Sequence, residues 1–136
     1  MASTLGHGRS IRPELGITEA ITTAANAVFT AQIAQDAVFS KVVTVTSGGA
    51  TEYLVLPKAV AELIGRIIYI VNGATGYELV TPDASGDTIN AVDGDGTNQL
   101  DCAASTLQMC IQTTATGWRV VSVAASTITV VAPDND

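Results

Sequence analysis

From residue 41 to residue 131 the chain is a succession of short runs of Val, Ile, Leu and Thr, each cut by Gly, Asn, Asp or Pro after about ten residues. Connections that short leave no room for a crossover helix, which needs about a dozen residues or more, so they predict strands that pair mostly antiparallel. β-branched side chains pack well on pleated surfaces. A chain with this punctuation is confined to an all-β fold.

The expected strands follow from the punctuation. Val43 and Val45 alternate with Thr44 and Thr46, a turn follows at Ser47, Gly48, Gly49 and Ala50, and residues 53–56 complete a predicted hairpin. Pro57 closes it, because proline cannot donate to a ladder. Residues 58–65 suit one helical turn or a loop ended by Gly65, and the apolar run at 67–71 suits a central strand covered on both faces. Turns at Asn72-Gly73, 82–87, 93–96 and Thr116-Gly117 separate further strands at 77–81, 88–92, 98–102, 106–113, 118–123 and 127–131. The prediction is eight or nine strands in one antiparallel β-sandwich, jelly-roll-like, over residues 18–136. Trp118, directly after Gly117, is expected to act as a lid on one end of the core.

The first 40 residues read differently. Residues 1–17 hold Gly6, Gly8, Gly16 and Pro13 among few large apolar groups, which is too little to build packed structure, so they predict an extended N-terminal arm. Ile11, Leu15 and Ile17 are apolar points on that arm, suited to burial on another surface. Residues 18–40 leave helix and strand open: Ala favours helix, and Ile21, Ala25, Val28, Phe29, Ile33 and Ala37 fall near helical spacing. Thr22, Thr23 and the lack of any charge between Glu19 and Asp36 argue for strand.

Composition bounds the partners. The 136 residues are 47% hydrophobic but only 4% aromatic, so the core must be aliphatic, and 136 residues suit one domain. Thirteen acidic against six basic residues give a net charge of -7, which repels phosphate backbones and excludes nucleic acid as the expected partner. The longest apolar run, 67–71, is far below the roughly 20 residues that cross a membrane as a helix. No membrane partner is expected, and the polar N-terminus does not read as a secretory leader, which predicts synthesis in a cytoplasm. Cys102 and Cys110 are then expected as free thiols.

Candidate chemistry is sparse. His7 is the only histidine and stands in a Gly-rich arm with nothing local to orient it, so no general base or Ser-His-Asp set is expected. Asp93 and Asp95 in the Asp-Gly-Asp-Gly stretch resemble the start of a calcium loop, with Asp87 as a further ligand of a looser site. Asn98 and Ala104 stand where an EF-hand needs its glycine and its bidentate glutamate, and a hairpin turn explains the stretch more simply. The cysteines lack zinc spacing and have no histidine to join them. Residues 73–76 lack the lysine of a phosphate loop, and Lys58, Glu62 and Arg66 read as a solvated face at helical spacing. The chain is expected to be neither an enzyme nor a cofactor protein.

One ordered string of pieces remains: VFTAQ at 28–32, YLVLP at 53–57, AELIGRIIYIVNG at 61–73, TPDASGDTINA at 81–91 and GWRVVS at 117–122. It resembles the small β domains that bacteriophages use as capsid decoration, or cement, proteins, which recur in some tail and fibre proteins. Leu56-Pro57, Gly65 with the strand to Asn72, Gly86-Asp87-Thr88-Ile89 and Trp118 carry the likeness. The longer Ala-rich stretch at 18–40 departs from the pattern, as does the lack of a second glycine after Asn90. The resemblance implies a β-sandwich that oligomerises, often as a trimer, on the outside of a head and binds the major capsid protein through its N-terminal arm. Arg9 and Arg12 would meet acidic groups of the shell, while Ile11, Leu15 and Ile17 would be buried on it. The expected place is the virion surface, after synthesis in the host cytoplasm. The alternative is a tail or fibre component with a receptor- or glycan-binding β domain, for which Tyr53, Tyr69, Tyr77 and Trp118 are the aromatic candidates.

Overall fold

The computed structural model describes residues 18–73, 75–91, 97–103, 108–123 and 130–131. Ten strands run through them: β1 (Thr18–Thr22), β2 (Phe39–Thr46), β3 (Tyr53–Val55), β4 (Ile67–Asn72), β5 (Tyr77–Val80), β6 (Thr88–Ile89), β7 (Gln99–Cys102), β8 (Gln108–Thr113), β9 (Gly117–Val123) and β10 (Val130–Val131). Helical structure among the described residues is limited to two 3-10 turns, Gln35–Val38 and Ala61–Leu63. The fold is all-β.

The strands form two sheets, one in the order β1-β2-β4-β8-β9-β6 and one in the order β10-β7-β5-β3. Both are mixed, which corrects the expectation of antiparallel, jelly-roll-like pairing. β1 with β2, β2 with β4, β3 with β5 and β6 with β9 run parallel. β4 with β8, β8 with β9, β5 with β7 and β7 with β10 run antiparallel. The predicted hairpin of β2 and β3 is absent because the two strands lie in different sheets, as do β4 and β5. Stacked sheets lie about 10 Å apart, a gap that a few extended residues span at about 3.3 Å each. The turns after β2 and β4 are therefore long enough to carry the chain between layers instead of folding it back beside itself.

Alternating layers make the first half wind like a solenoid. The chain passes from β1 to β2 to β4 in one sheet and visits the other between them, so each return is parallel to the strand before. The winding is written in the sequence as Leu54-Val55-Leu56-Pro57 and Leu79-Val80-Thr81-Pro82, 25 residues apart. Leu54 pairs with Leu79 and Val55 with Val80 in the same register. Between β1 and β2 the chain makes the first visit without a full strand: Ala24 and Gln32 bridge to Tyr53 and Val55 at the outer edge of β3.

Those bridges settle residues 18–40. Ala24 N donates to Tyr53 O at 3.0 Å and Ile33 N to Val55 O at 2.8 Å, so backbone groups that a helix would use internally are spent on β3. Ile33, Ala37 and Val38 are buried, whereas Val28 is exposed, and the only helical piece of the segment is the 3-10 turn Gln35–Val38, with no α-helix. The segment also covers the edge of β3, which would otherwise offer an unpaired strand.

One core lies between the sheets. Val43, Val45, Ile68, Ile70 and Ile111 enter it from the six-stranded sheet, and Leu54, Leu79 and Leu100 from the other. Each aliphatic side chain buried this way contributes about 1.5–3 kcal/mol. Trp118 belongs to the same cluster at 0% exposure, so it is the centre of one end of the core and not a lid over it. A small second cluster, Tyr53, Val55 and Val80, sits on the far side of β3 and β5 under Phe29, whose ring meets Tyr53 edge-on at 5.3 Å.

Candidate functional site

Arg9, Ile11, Arg12, Leu15 and Ile17 of the arm, and Asp93 and Asp95 of the Asp-Gly turn, lie outside the described residues. Thr18, the first described residue, opens β1, the edge strand of the six-stranded sheet, so residues 1–17 join the chain at that edge.

Asp87, the third candidate for a cation, is 4% exposed and already engaged. One carboxylate oxygen accepts from Lys58 Nζ at 2.7 Å and the other from the backbone N–H of Ala59 at 2.7 Å, while Lys58 also donates to Ser85 O at 2.6 Å. The arrangement pins the 82–87 turn to the chain after Pro57, which is a structural task. Lys58, Glu62 and Arg66 do not share a helix face: Lys58 serves Asp87, Glu62 is exposed on the 3-10 turn, and Arg66 lies over the Phe39 ring at 5.2 Å from its centroid. An open cleft of about 340 Å³ beside Lys58 is lined by Gln32, Ile33, Ala34, Gln35 and Pro57. Its one cation is committed to Asp87. Among the described residues no group of three or more His, Cys, Asp or Glu side chains is placed to hold a metal ion.

The outer face of the six-stranded sheet is the feature with an unusual character. Strand register sets three rows across it: Phe39, Ile67, Gln112 and Arg119; Thr18, Val42, Tyr69 and Cys110; Ala20, Thr44 and Val71. None of these residues is acidic, in a chain with thirteen carboxylate side chains. Two irregularities enlarge the apolar part. A bulge in β2 between Phe39 and Val42 brings both residues to this face, and the shift in β9 leaves Val121 without a partner on β8 and 53% exposed. Tyr69 is 43% exposed at the middle of the sheet, so β4 is central but covered on one face only, contrary to the sequence expectation. Arg119 donates to Gln112 Oε1 at 2.7 Å, and with Arg66 it places two guanidinium groups along one margin.

The two cysteines are free and buried, in line with the expected thiols. Cys102 points into the core beside Tyr77, and burial pushes its thiol up to about 12 against a small lowering by the Tyr77 hydrogen bond. Burial likewise raises the Tyr77 hydroxyl well above its usual range and the Cys110 thiol above its own. An unfolded thiol ionises near pH 9, so above that pH the unfolded chain loses a proton that folded Cys102 keeps, and stability falls as pH rises to about 12. The expected slope in urea titrations is about 1.4 kcal/mol per pH unit through that window. Cys102→Ala should flatten much of the slope, with Tyr77 and Cys110 contributing the rest.

Of the four aromatic side chains offered for sugar stacking, Tyr53, Tyr77 and Trp118 are at most 1% exposed, and Tyr69 alone presents a ring. The sequence signal that would have found the outer face is the pair of runs 42–46 and 67–71, whose Val, Thr, Ile and Tyr residues place no charge on either side. The chain matches no protein-family model, no curated protein and no solved structure.

Proposed function

We propose that the protein is a structural component of a phage virion: a β-sandwich decoration, or cement, protein that binds the major capsid protein on the outer shell and stabilises the head. The observation that carries the reading is the carboxylate-free outer face of the six-stranded sheet, with the arm tethered at its edge strand. A body of this kind works by covering and being covered. The arm supplies aliphatic points and the cations Arg9 and Arg12, and its ordering entropy is offset when Ile11, Leu15 and Ile17 are buried against a partner. The acidic remainder faces solvent and keeps decorated particles apart. A tail or fibre tip that reads glycans has less support, since Tyr69 is the one ring of the four candidates presented for stacking.

Deleting residues 2–17 tests the arm. Three aliphatic side chains contribute about 1.5–3 kcal/mol each when buried, so the truncated protein should bind expanded heads more than about 100-fold more weakly in co-sedimentation. Unchanged binding by a folded truncation would show that the arm takes no part in docking.

A further inference from the structure

We infer that Arg66 and Arg119, at one margin of the outer face of the six-stranded sheet, form a docking site for an acidic segment of a protein partner. The inference rests on the virion reading for its setting, in which that partner is the major capsid protein, and it adds the chemistry the partner must bring.

The chain leaves these two cations without a carboxylate of its own. Lys41 and Lys58 are in ion pairs, with Asp36 at 2.9 Å and Asp87 at 2.7 Å, whereas neither arginine is in one among the described residues. Glu62 is exposed on the turn just before Arg66 and still does not pair with it. In a protein with a net charge of -7, the two unpaired guanidinium groups stand together on a face whose register rows hold no acidic residue. The charge missing from this margin is the one a partner can supply.

Both groups are held ready. Gln112 of β8 lies between Ile67 of β4 and Arg119 of β9 in one row, and its amide is used at both ends: Nε2 donates to Gly65 O at 3.0 Å, and Oε1 accepts from Arg119 Nη2 at 2.7 Å. Arg66 is pinned through its backbone, donating from N to Thr113 Oγ1 at 3.1 Å and accepting at O from Thr113 N at 2.9 Å. A guanidinium carries five N–H donors. Arg119 spends one on Gln112, and Arg66 spends none on a described residue while its guanidinium lies over the Phe39 ring. Two strand spacings put the backbones of Arg66 and Arg119 about 10 Å apart across β8, a gap matched by carboxylates two or three residues apart on an extended segment at about 3.3 Å per residue.

The surroundings choose among sources of carboxylate. Phe39 is 38% exposed under Arg66, and Ile64, two residues before it, is 56% exposed, so the acidic groups must arrive with apolar neighbours, as on a protein surface. Arginine stacked on an aromatic ring is weakly hydrated and gives up its water readily at such a contact. A second copy presenting the same face does not fit, because a two-fold pairing brings the face onto itself, adds no carboxylate and sets guanidinium against guanidinium. Nucleic acid offers anions, but the acidic body repels its backbone.

The test is co-sedimentation of the full chain with expanded heads over a range of salt. Replacing both residues, Arg66→Gln with Arg119→Gln, should weaken binding about 10- to 100-fold with an unchanged circular dichroism spectrum, the loss expected when charge-assisted contacts are removed. It should also flatten the fall of binding with salt, which a merely structural role would not change. Thr75→Glu lowers the net charge by one, as each arginine change does, but in the turn at the opposite end of β4, and should leave binding unchanged. A folded double variant that binds heads as tightly as wild type, with the same salt dependence, would overturn the inference and leave the virion reading standing. A wild-type oligomer that the double variant reduces to 13.9 kDa would give the arginines to a neighbouring copy and overturn it as well. If wild type ignores heads, the virion reading falls and poly-L-glutamate becomes the probe. Binding at low salt that the double variant loses would then support the inference, and no binding, or binding that the double variant keeps, would overturn it.

Discussion

Replacing Trp118 by alanine is expected to lower the unfolding free energy by about 3–5 kcal/mol, a large part of the ~5–15 kcal/mol that holds a domain of this size together. The residue is 0% exposed and is the largest side chain in a mainly aliphatic cluster, so its removal leaves a large cavity. Its strand position is fixed on both sides, by Thr113 of β8 and Ile89 of β6. Trp118→Phe provides the control. It keeps most of the ring and removes an indole N–H that has no acceptor among the described residues, and so should cost much less. Urea unfolding followed by circular dichroism measures both. A Trp118→Ala loss under about 1 kcal/mol, the size of a surface substitution, would place the side chain outside the core.

Gly117→Ala should be nearly as damaging, through backbone instead of volume. A methyl group at Gly117 would lie 2.2 Å from Thr88 O and 2.3 Å from Thr88 N, and a backbone pair cannot step aside as a flexible side chain can. The parallel pairing of β6 with β9 depends on that approach: Thr88 N donates to Thr116 O at 3.0 Å and Asn90 N to Trp118 O at 2.9 Å. Losing β6 also withdraws Ile89 from the core, where it is 0% exposed. The expected loss is about 3 kcal/mol or more. Gly86→Ala separates this from a general cost of replacing glycine. Gly86 has φ of 73° but open space around it, so its substitution should cost only about 1–2 kcal/mol.

The all-β class was readable because β-branched runs and turn residues alternate at strand length throughout. The β8–β9 hairpin was readable for the same reason, since Thr116-Gly117 turns the chain between strands that do pair antiparallel. The winding was not, because Gly48-Gly49 and Asn72-Gly73 state that the chain turns without stating whether it turns within a sheet or between sheets. The Leu-Val-x-Pro repeat at residues 54–57 and 79–82 was the available signal, and an internal comparison at a spacing of 25 finds it. Trp118 misled because a tryptophan beside a turn glycine looks peripheral, whereas β6 pairs along the far side of β9 and Trp118 faces the core between the sheets.

The candidate site was legible in its chemistry and hidden in its geometry. Lys and Arg are missing between Arg66 and Arg119, and the strands in that interval announce a weakly charged body. Residues 67–71 are apolar on both sides of the strand, so no alternation tells which of Ile68 and Tyr69 faces the core. Register with β2 and β8 decides it, and register is set by long-range pairing. The arm residues Arg9, Ile11, Arg12, Leu15 and Ile17 were singled out by composition alone and carry the docking prediction on that basis.

We propose that this protein acts by lying on the outside of a phage head. Electron cryo-microscopy of intact particles, compared with particles assembled without the protein, tests it directly. The expected result is added density on the outer surface of the head into which the two-sheet body fits, and its loss when residues 2–17 are deleted. Density confined to the tail or fibres, or particles that are the same with and without the protein, would contradict it.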